Sequence, residues 1–202
     1  EIPAQFRGKV SFTAVDKAGN NETFTDENVV IVDNVAPGVT VVYDNNKVQN
    51  GKYYNADRTA TITITEANFF TEDIGNEFLV ITVGKTLNDG TNTVENVKPS
   101  FTKNGDVYTA TVAFTEDADY TFDIKYTDRS GNVYDNYEMD VFTIDKIAPI
   151  VTVNFDNNTA LNTNYFDNNR TATIAVTEHN FVADGIVAIV TENGAINEEY
   201  AD

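Results

Sequence analysis

Apolar residues fall on every second position through most of this chain. Val39, Val41 and Tyr43 alternate with polar neighbours, and Ala60, Ile62 and Ile64 alternate with Thr59, Thr61, Thr63 and Thr65. Tyr108, Ala110, Val112 and Phe114 form a further stripe, Tyr120, Phe122, Ile124 and Tyr126 another, and Phe142 with Ile144 a last one. A period of two places one face of each segment against a core and the other toward water, which predicts β-strands. With an apolar run from Phe78 to Val83 and a short strand near Phe101, the count reaches about seven strands, as a two-sheet sandwich requires. The expected core is Ala60, Ile62, Ile64, Val112, Phe122, Ile124 and Tyr126.

The segments between these stripes carry turn chemistry. Lys103, Asn104 and Gly105 separate two strands, and Arg129, Ser130 and Gly131 follow another, each with glycine where a short hairpin needs positive φ. The stretch from Glu66 to Asn76 lacks alternation and is expected to hold a short helical turn. The polar stretch from Gly84 to Val97 reads as a long loop that the scaffold does not demand.

A long internal repeat organises the whole chain. Asp33 and Asp145, Pro37 and Pro149, Asp44 and Asp156, Arg58 and Arg170, Glu66 and Glu178, and Phe69 and Phe181 all stand 112 residues apart. VDKAGNN from Val15 pairs with TDRSGNV from Thr127 at the same offset. The copies meet at two seams, IVDNVAP ending at Pro37 and TIDKIAP ending at Pro149, where a proline without an amide hydrogen favours a stiff extended link. The expected division is therefore 1–36 as the last strands of one module, 37–148 as a complete module and 149–202 as the front half of a third. Because a lone hairpin is marginal in water, the outer pieces are expected to belong to a longer chain or to be completed by neighbouring copies.

Composition narrows the function classes. The 13 Lys and Arg against 32 Asp and Glu give a net charge of −19, which repels nucleic acid and anionic membranes and suits divalent cations. No apolar run approaches the ~20 residues of a membrane-spanning helix, so direct membrane insertion is not expected. Cysteine is absent, excluding disulfides, thiolate metal sites and a cysteine nucleophile.

At this point the motifs carry a resemblance. A terminal strand ending in ID-x-x-AP, the hairpin loop D-x-[AS]-G-N, and the runs YYNADRTATITITEANF (Tyr53 to Phe69) and YFDNNRTATIAVTEHNF (Tyr165 to Phe181) resemble the bacterial Ig-like repeats of large surface proteins in gut Firmicutes. The likeness covers nearly the whole chain. It implies an all-β fold of tandem Ig-like β-sandwich modules with a repeat of about 112 residues, an extracellular setting, and neighbouring modules of the same chain as partners. Such repeats serve as stalks, as adhesins and, in some gut commensals, as immunoglobulin-binding superantigens. The resemblance thus implies a host protein or glycoprotein as partner, with immunoglobulin variable domains and mucin-type glycoprotein as candidates, and a passive spacer as the alternative. The segment Ala118 to Phe122 resembles the tyrosine corner of such sandwiches, with Phe122 where antibody domains carry cysteine.

Catalytic chemistry finds little footing. The single histidine, His179, has Ala67 as its counterpart, and adjacent carboxylates such as Asp117 and Asp119 are expected by chance among so many acids. The chain reads as no enzyme. Calcium is the better case, since Ca²⁺ takes roughly six to eight oxygen ligands and the seams concentrate them. Asp33 and Asp44 are candidate ligands at one seam and Asp145 and Asp156 at the other, with Asn34 and Asn157 beside them and Asp16, Asp128, Glu66 and Glu178 as further donors at domain tips. Turn formation explains the same residues without metal, and the sequence leaves both open. An intramolecular Lys–Asn cross-link is disfavoured because Lys125 pairs with Thr13 and Lys9 with Thr121. Candidate partner contacts are the apolar residues that the copies do not share or that flank unshared loops: Phe70, Ile74, Phe78 and Leu87.

Overall fold

The structure, a computed structural model, describes residues 1–192 together with Ala195 and Ile196. The remaining residues of the span 149–202, expected to form the front half of a module, lie outside the described residues. The chain is all-β with several sheets, and it divides into two compact units, Glu1–Asp145 and Lys146–Asp202.

The first unit opens with two strand pairs. β1 (Phe6–Gly8) pairs with β4 (Val30–Val32), and between them β2 (Ser11–Val15) pairs with β3 (Asn21–Thr25). Phe12 and Phe24 stand opposite each other in the second pair, yet both are exposed, because this pair has no second sheet to pack on.

A β-sandwich follows. Its strands are β5 (Gly38–Tyr43), β6 (Tyr53–Tyr54), β7 (Arg58–Thr65), β8 (Leu79–Leu87), β9 (Asn92–Asn96), β10 (Thr102–Asn104), β11 (Val107–Phe114), β12 (Ala118–Thr127), β13 (Val133–Tyr134) and β14 (Asp140–Ile144). One sheet runs β10-β11-β7-β5; the other runs β6-β14-β12-β8-β9, with β13 added to β12. After β5 the chain crosses from the first sheet to the second, where β6 lies parallel to β14. The crossing uses an Asn50-Gly51 turn, both residues at positive φ, which is the pair such a turn selects.

The inward positions are those the alternation predicts. Ala60, Ile62, Ile64, Phe122, Ile124 and Tyr126 are buried, and Val112 is partly buried against the same cluster. Phe114 is the hub, meeting Tyr120, Phe122 and Phe142 edge-on at centroid distances of 5.1, 5.6 and 5.0 Å. The outward face of β7 and its neighbours is a threonine ladder, with Thr63 between Thr40 and Thr109 and Thr61 opposite Thr111. β-branched side chains suit this surface.

A short 3-10 turn at Thr71–Asp73 fills the stretch expected to hold a helical turn. The Gly84 to Val97 stretch is not the long loop expected; β8 continues to Leu87 and returns as β9 through Asn88, Asp89 and Gly90. Threonines at 82, 86 and 93 favour the strand, and Gly90 at positive φ makes the tight turn. Gly84 is required for another reason, since a side chain there would run into the Thr121 hydroxyl on the neighbouring strand.

The second unit repeats the front of the sandwich. β15 (Ile150–Phe155) pairs with β16 (Ala172–Thr177) in the register of β5 on β7: Ile150 faces Thr177 as Gly38 faces Thr65. A 3-10 turn at Ala183–Gly185 follows, then the short pair β17 (Thr191–Glu192) and β18 (Ala195–Ile196). Phe181 is 47% exposed where its counterpart Phe69 is 7% exposed. The difference is the rest of the sandwich: the rings of Phe101 just before β10, Tyr108 on β11 and Tyr126 on β12 of the facing sheet enclose Phe69.

Candidate functional site

The alternation that builds the core continues one step past it. On β7 the inward series Ile62, Ile64 leads to Glu66, and on β12 the series Ile124, Tyr126 leads to Asp128. The two sheets therefore each deliver a carboxylate to the same end of the sandwich. Glu66 is 5% exposed and Asp128 2%. A third carboxylate, Asp33, arrives from the segment between β4 and the buried Pro37. One oxygen from each of Asp33, Glu66 and Asp128 lies within 4.8 Å of the others.

Each carboxylate is oriented by backbone and amide donors. Asp128 caps its own loop: Oδ1 accepts from the amides of Ser130 and Asn132 at 2.8 and 2.9 Å, and Oδ2 accepts from the Asn132 side chain at 2.8 Å. Asp16 makes the same bonds with Ala18 and Asn20, so the D-x-[AS]-G-N motif is a self-contained turn with its glycine at positive φ. Glu66 accepts from the amide of Asn68 at 2.7 Å. Asp33 accepts from Asn68 Nδ2 at 2.7 Å and from Gln5 Nε2 at 3.0 Å. Asn132 Nδ2 reaches the Asp33 carbonyl at 3.2 Å, and Arg7 donates to Asn68 Oδ1 at 2.9 Å. Asn68 and Asn132 thus tie the leading strands to the tip of the sandwich, which is why residues before Pro37 share its compact unit.

The electrostatics are one-signed. Burial pushes the Glu66 carboxyl up, and Asp33, Asp128 and Asp106 add to that, only partly offset by the Asn68 amide. Burial also acts upward on Asp33, but bonds from Asn68, Gln5, the Val35 amide and the Glu66 carboxyl outweigh it and hold that carboxyl below its ordinary range. Among the described residues, no ion pair within 4.0 Å joins Lys or Arg to any of the three. The Tyr126 side chain, next inward before Asp128 on β12, is 1% exposed, and its hydroxyl has no hydrogen-bond partner among the described residues. Burial raises that phenol, and Glu66, Asp73 and Asp128 are the charges that act on it.

Asp73 is dealt with separately. Its buried carboxylate is clasped by Arg129 through Nε at 3.0 Å and Nη2 at 2.8 Å, and the same guanidinium lies 3.9 Å from the Phe70 ring centre. This latch pins the unshared 70–78 loop to the Asp128 turn.

The residues singled out in the sequence fall into separate places. Asp33 joins the trio, whereas Asp44 sits beyond the other end of β5, where its Oδ1 accepts from the Thr59 amide at 2.7 Å. Asp156 does the same with Thr171 at 2.8 Å in the second unit. Asp145 ends β14, its amide donating to the Tyr54 carbonyl at 2.9 Å. Glu66 and Asp128, named only as further donors, are the residues that meet Asp33. Phe70, Ile74, Phe78 and Leu87 are all half-buried; Ile74 and Leu87 pack against the core, and Phe70 lies under Arg129.

Two features were not foreseen. Arg58, 7% exposed, stacks over Tyr43, Tyr54 and Phe142 at 3.6, 4.2 and 4.6 Å and donates to the Asn45 carbonyl. Arg170 repeats this over Phe155 and Phe166, so the signal was present as an arginine between aromatics at the repeat offset. Asp140 accepts from both Tyr43 and Tyr137 at 2.6 Å. That clasp joins the two sheets and has no sequence signature.

Comparison with protein-family models, with curated proteins and with solved structures found no match to this chain. Among the described residues, no helix is long and apolar enough to cross a membrane.

Proposed function

We propose that this chain is a stretch of tandem Ig-like modules from a bacterial surface protein, displayed outside the cell and acting without catalysis as a rigid extension. Three structural features support the Ig-like assignment. With β5, β6, β7, β8, β9, β10, β11, β12 and β14 taken as strands A, A′, B, C, C′, D, E, F and G, the sheets run D-E-B-A and A′-G-F-C-C′, the division of such sandwiches. Tyr120 Oη donates to the Glu116 carbonyl at 3.1 Å, the bond of a tyrosine corner. Register and turns recur at the 112-residue offset. The observation that carries the extension role is the polar joint, in which Asn68 and Asn132 grip Asp33 just before the buried Pro37. An array that must hold a distant domain at reach needs module contacts that resist bending.

A second reading, engagement of a host protein or glycoprotein such as an immunoglobulin variable domain, is favoured by one observation. β9 is the outer strand of its sheet, and Val94 on it is 68% exposed. An unpaired edge of this kind accepts a partner strand. To separate the readings, the chain is immobilised and pooled immunoglobulin and mucin are passed over it. Absence of binding at micromolar concentration supports extension alone. Binding that Val94→Lys abolishes supports the edge-strand contact. For the joint itself, a chain lacking residues 1–36 is expected to melt at lower temperature than the parent; an unchanged melting temperature removes the support for a rigid joint.

A further inference from the structure

We propose that Asp33, Glu66 and Asp128 form a Ca²⁺ site that locks the joint before Pro37. This deepens the extension reading and rests on the same joint, but the array itself does not depend on it, because Asn68 and Asn132 hold the segment without a cation.

The argument begins with the core. From Ala60 on β7 and Ala118 on β12 the inward positions are apolar or aromatic up to Ile64 and Tyr126, and the next inward positions are carboxylates after both strands. Ending a core with two buried acids, and directing a third onto them from the preceding segment, costs stability unless the charge is met. Arg129 meets Asp73, a few residues away, with a forked pair. No such pair is made to the trio among the described residues. Oxygens within 4.8 Å of one another suit a hard divalent ion bound at about 2.4 Å from each ligand.

A second observation points to the same space. The Tyr126 phenol is almost wholly buried, follows Ile124 on the inward face and precedes Asp128 on it, and its hydroxyl finds no partner among the described residues. Buried hydroxyls are nearly always bonded, so this one calls for an acceptor at the end of the core. A water in the shell of a cation held by Glu66 and Asp128 supplies that acceptor. The hydrogen bonds already on the page leave room for a shell: Glu66 uses Oε1 for the Asn68 amide, the amide bonds to Asp33 and Asp128 orient those carboxylates without neutralising them, and the remaining interaction of Asp33 is with Glu66, itself a carboxyl group. The chemistry selects Ca²⁺ over softer metals, since all ligands are oxygens, and over Mg²⁺, because carboxylates fixed by turns leave an irregular shell that the larger ion tolerates.

All three ligand positions recur in the sequence: Asp145 for Asp33, Glu178 for Glu66 and Asp16 for Asp128. Tyr126 does not, its counterpart being Ala14, so the phenol reports on this site alone.

The test uses the full chain, freed of metal by chelation. Calorimetry and thermal melting with Ca²⁺ are expected to give binding and a rise in melting temperature. Glu66→Gln is expected to weaken binding at least about tenfold, and Asp33→Asn likewise, while Asp44→Asn, outside the trio, leaves it unchanged. Terbium serves as a second probe: the chain has no Trp, so its sensitised emission comes through tyrosine, and Tyr126→Phe is expected to remove most of it. Without Ca²⁺, Glu66→Gln is expected to raise the melting temperature by removing one of three crowded charges. The proposal is overturned if Ca²⁺ leaves the melting temperature of the parent unchanged, or if binding survives both Glu66→Gln and Asp33→Asn. Loss of Ca²⁺ binding with retention of the drop on removing residues 1–36 overturns the metal site and leaves the extension reading standing.

Discussion

A buried polar side chain is tolerated only where its bonding groups are met, and the sandwich meets them in two ways at opposite chemical extremes. Arg58 places its guanidinium over three aromatic faces and gives a donor to the Asn45 carbonyl, so a cation enters the core boundary with no carboxylate paired to it among the described residues. Asp140 takes the reverse role, accepting two phenol hydroxyls, Tyr43 from one sheet and Tyr137 from the approach to β14. Burial is the main reason both phenols are raised above their ordinary range, and the bond to Asp140 adds to it. Arg58 acts on Tyr43 in the opposite sense, too weakly to reverse the direction. The folded phenols hold their protons more tightly than the unfolded ones, so unfolding releases protons in alkali. Stability is thus level below the ordinary tyrosine value of 10.0 and falls as pH climbs through it. A spectrophotometric titration is expected to show a fraction of the ten tyrosines ionising only together with loss of the folded signal. Smooth ionisation of all ten before any unfolding would contradict the clasp. Asp140→Asn is expected to bring the alkaline transition to lower pH, since it removes the charge-assisted acceptor.

At the scale of elements, legibility followed how many positions a feature engages. β7 and β12 were readable because four or five alternating residues all report one face, and register errors would expose every one of them. Glu66 and Asp128 were harder. Each ends such a series with a single residue, and a carboxylate after a strand reads equally well as a solvated turn. Their meeting depends on the facing of two sheets, which no local pattern encodes, and Asp33 enters from a segment more than 30 residues before Glu66. Asp44 and Asp33 looked like one cluster because they are close in sequence, yet a six-residue strand, about 20 Å long, lies between their turns. The Gly84 to Val97 stretch was misread because its polar residues alternate with few apolar ones, so an edge strand with one solvated face resembled a loop. Gly84 is the informative residue there. Its lack of a side chain lets Thr121 on β12 lie across it, so Gly84→Val is expected to destabilise the sandwich by roughly 1–3 kcal/mol, the usual cost of overpacking. Chemical denaturation measures this. Pairing with Thr121→Ala should recover part of the loss, because the hydroxyl that a Cβ would strike is gone; equal loss in the double variant would place the fault elsewhere.

The whole molecule combines strand pairs of one design in two packing states. In the sandwich, β7 lies under a second sheet and its inward residues are fully buried. β15 and β16 keep the same register, yet Ile150, Val151, Val153, Phe155 and Ile174 are exposed. β2 and β3 are alike, with Phe12 and Phe24 in the open. Each strand in these pairs is bonded on one side only, whereas β7, β8 and β12 are bonded on both, and the apolar burial differs in the same sense. Since an isolated hairpin is at best marginal in water, opening of these pairs requires only local free energy, whereas opening of β7, β8 or β12 requires disruption of the aromatic core around Phe114. Native-state amide exchange on this chain is therefore expected to divide into two classes. Amides of Thr61 to Ile64 and of Phe122 to Tyr126 should exchange only through global unfolding and slow in step with stabiliser or denaturant. Amides of Phe12 to Ala14 and of Val151 to Asn154 should exchange orders of magnitude faster and respond little to denaturant. Equal protection of the second class would mean that apolar burial is not what stabilises these repeats, and that the strand pairs stand by themselves.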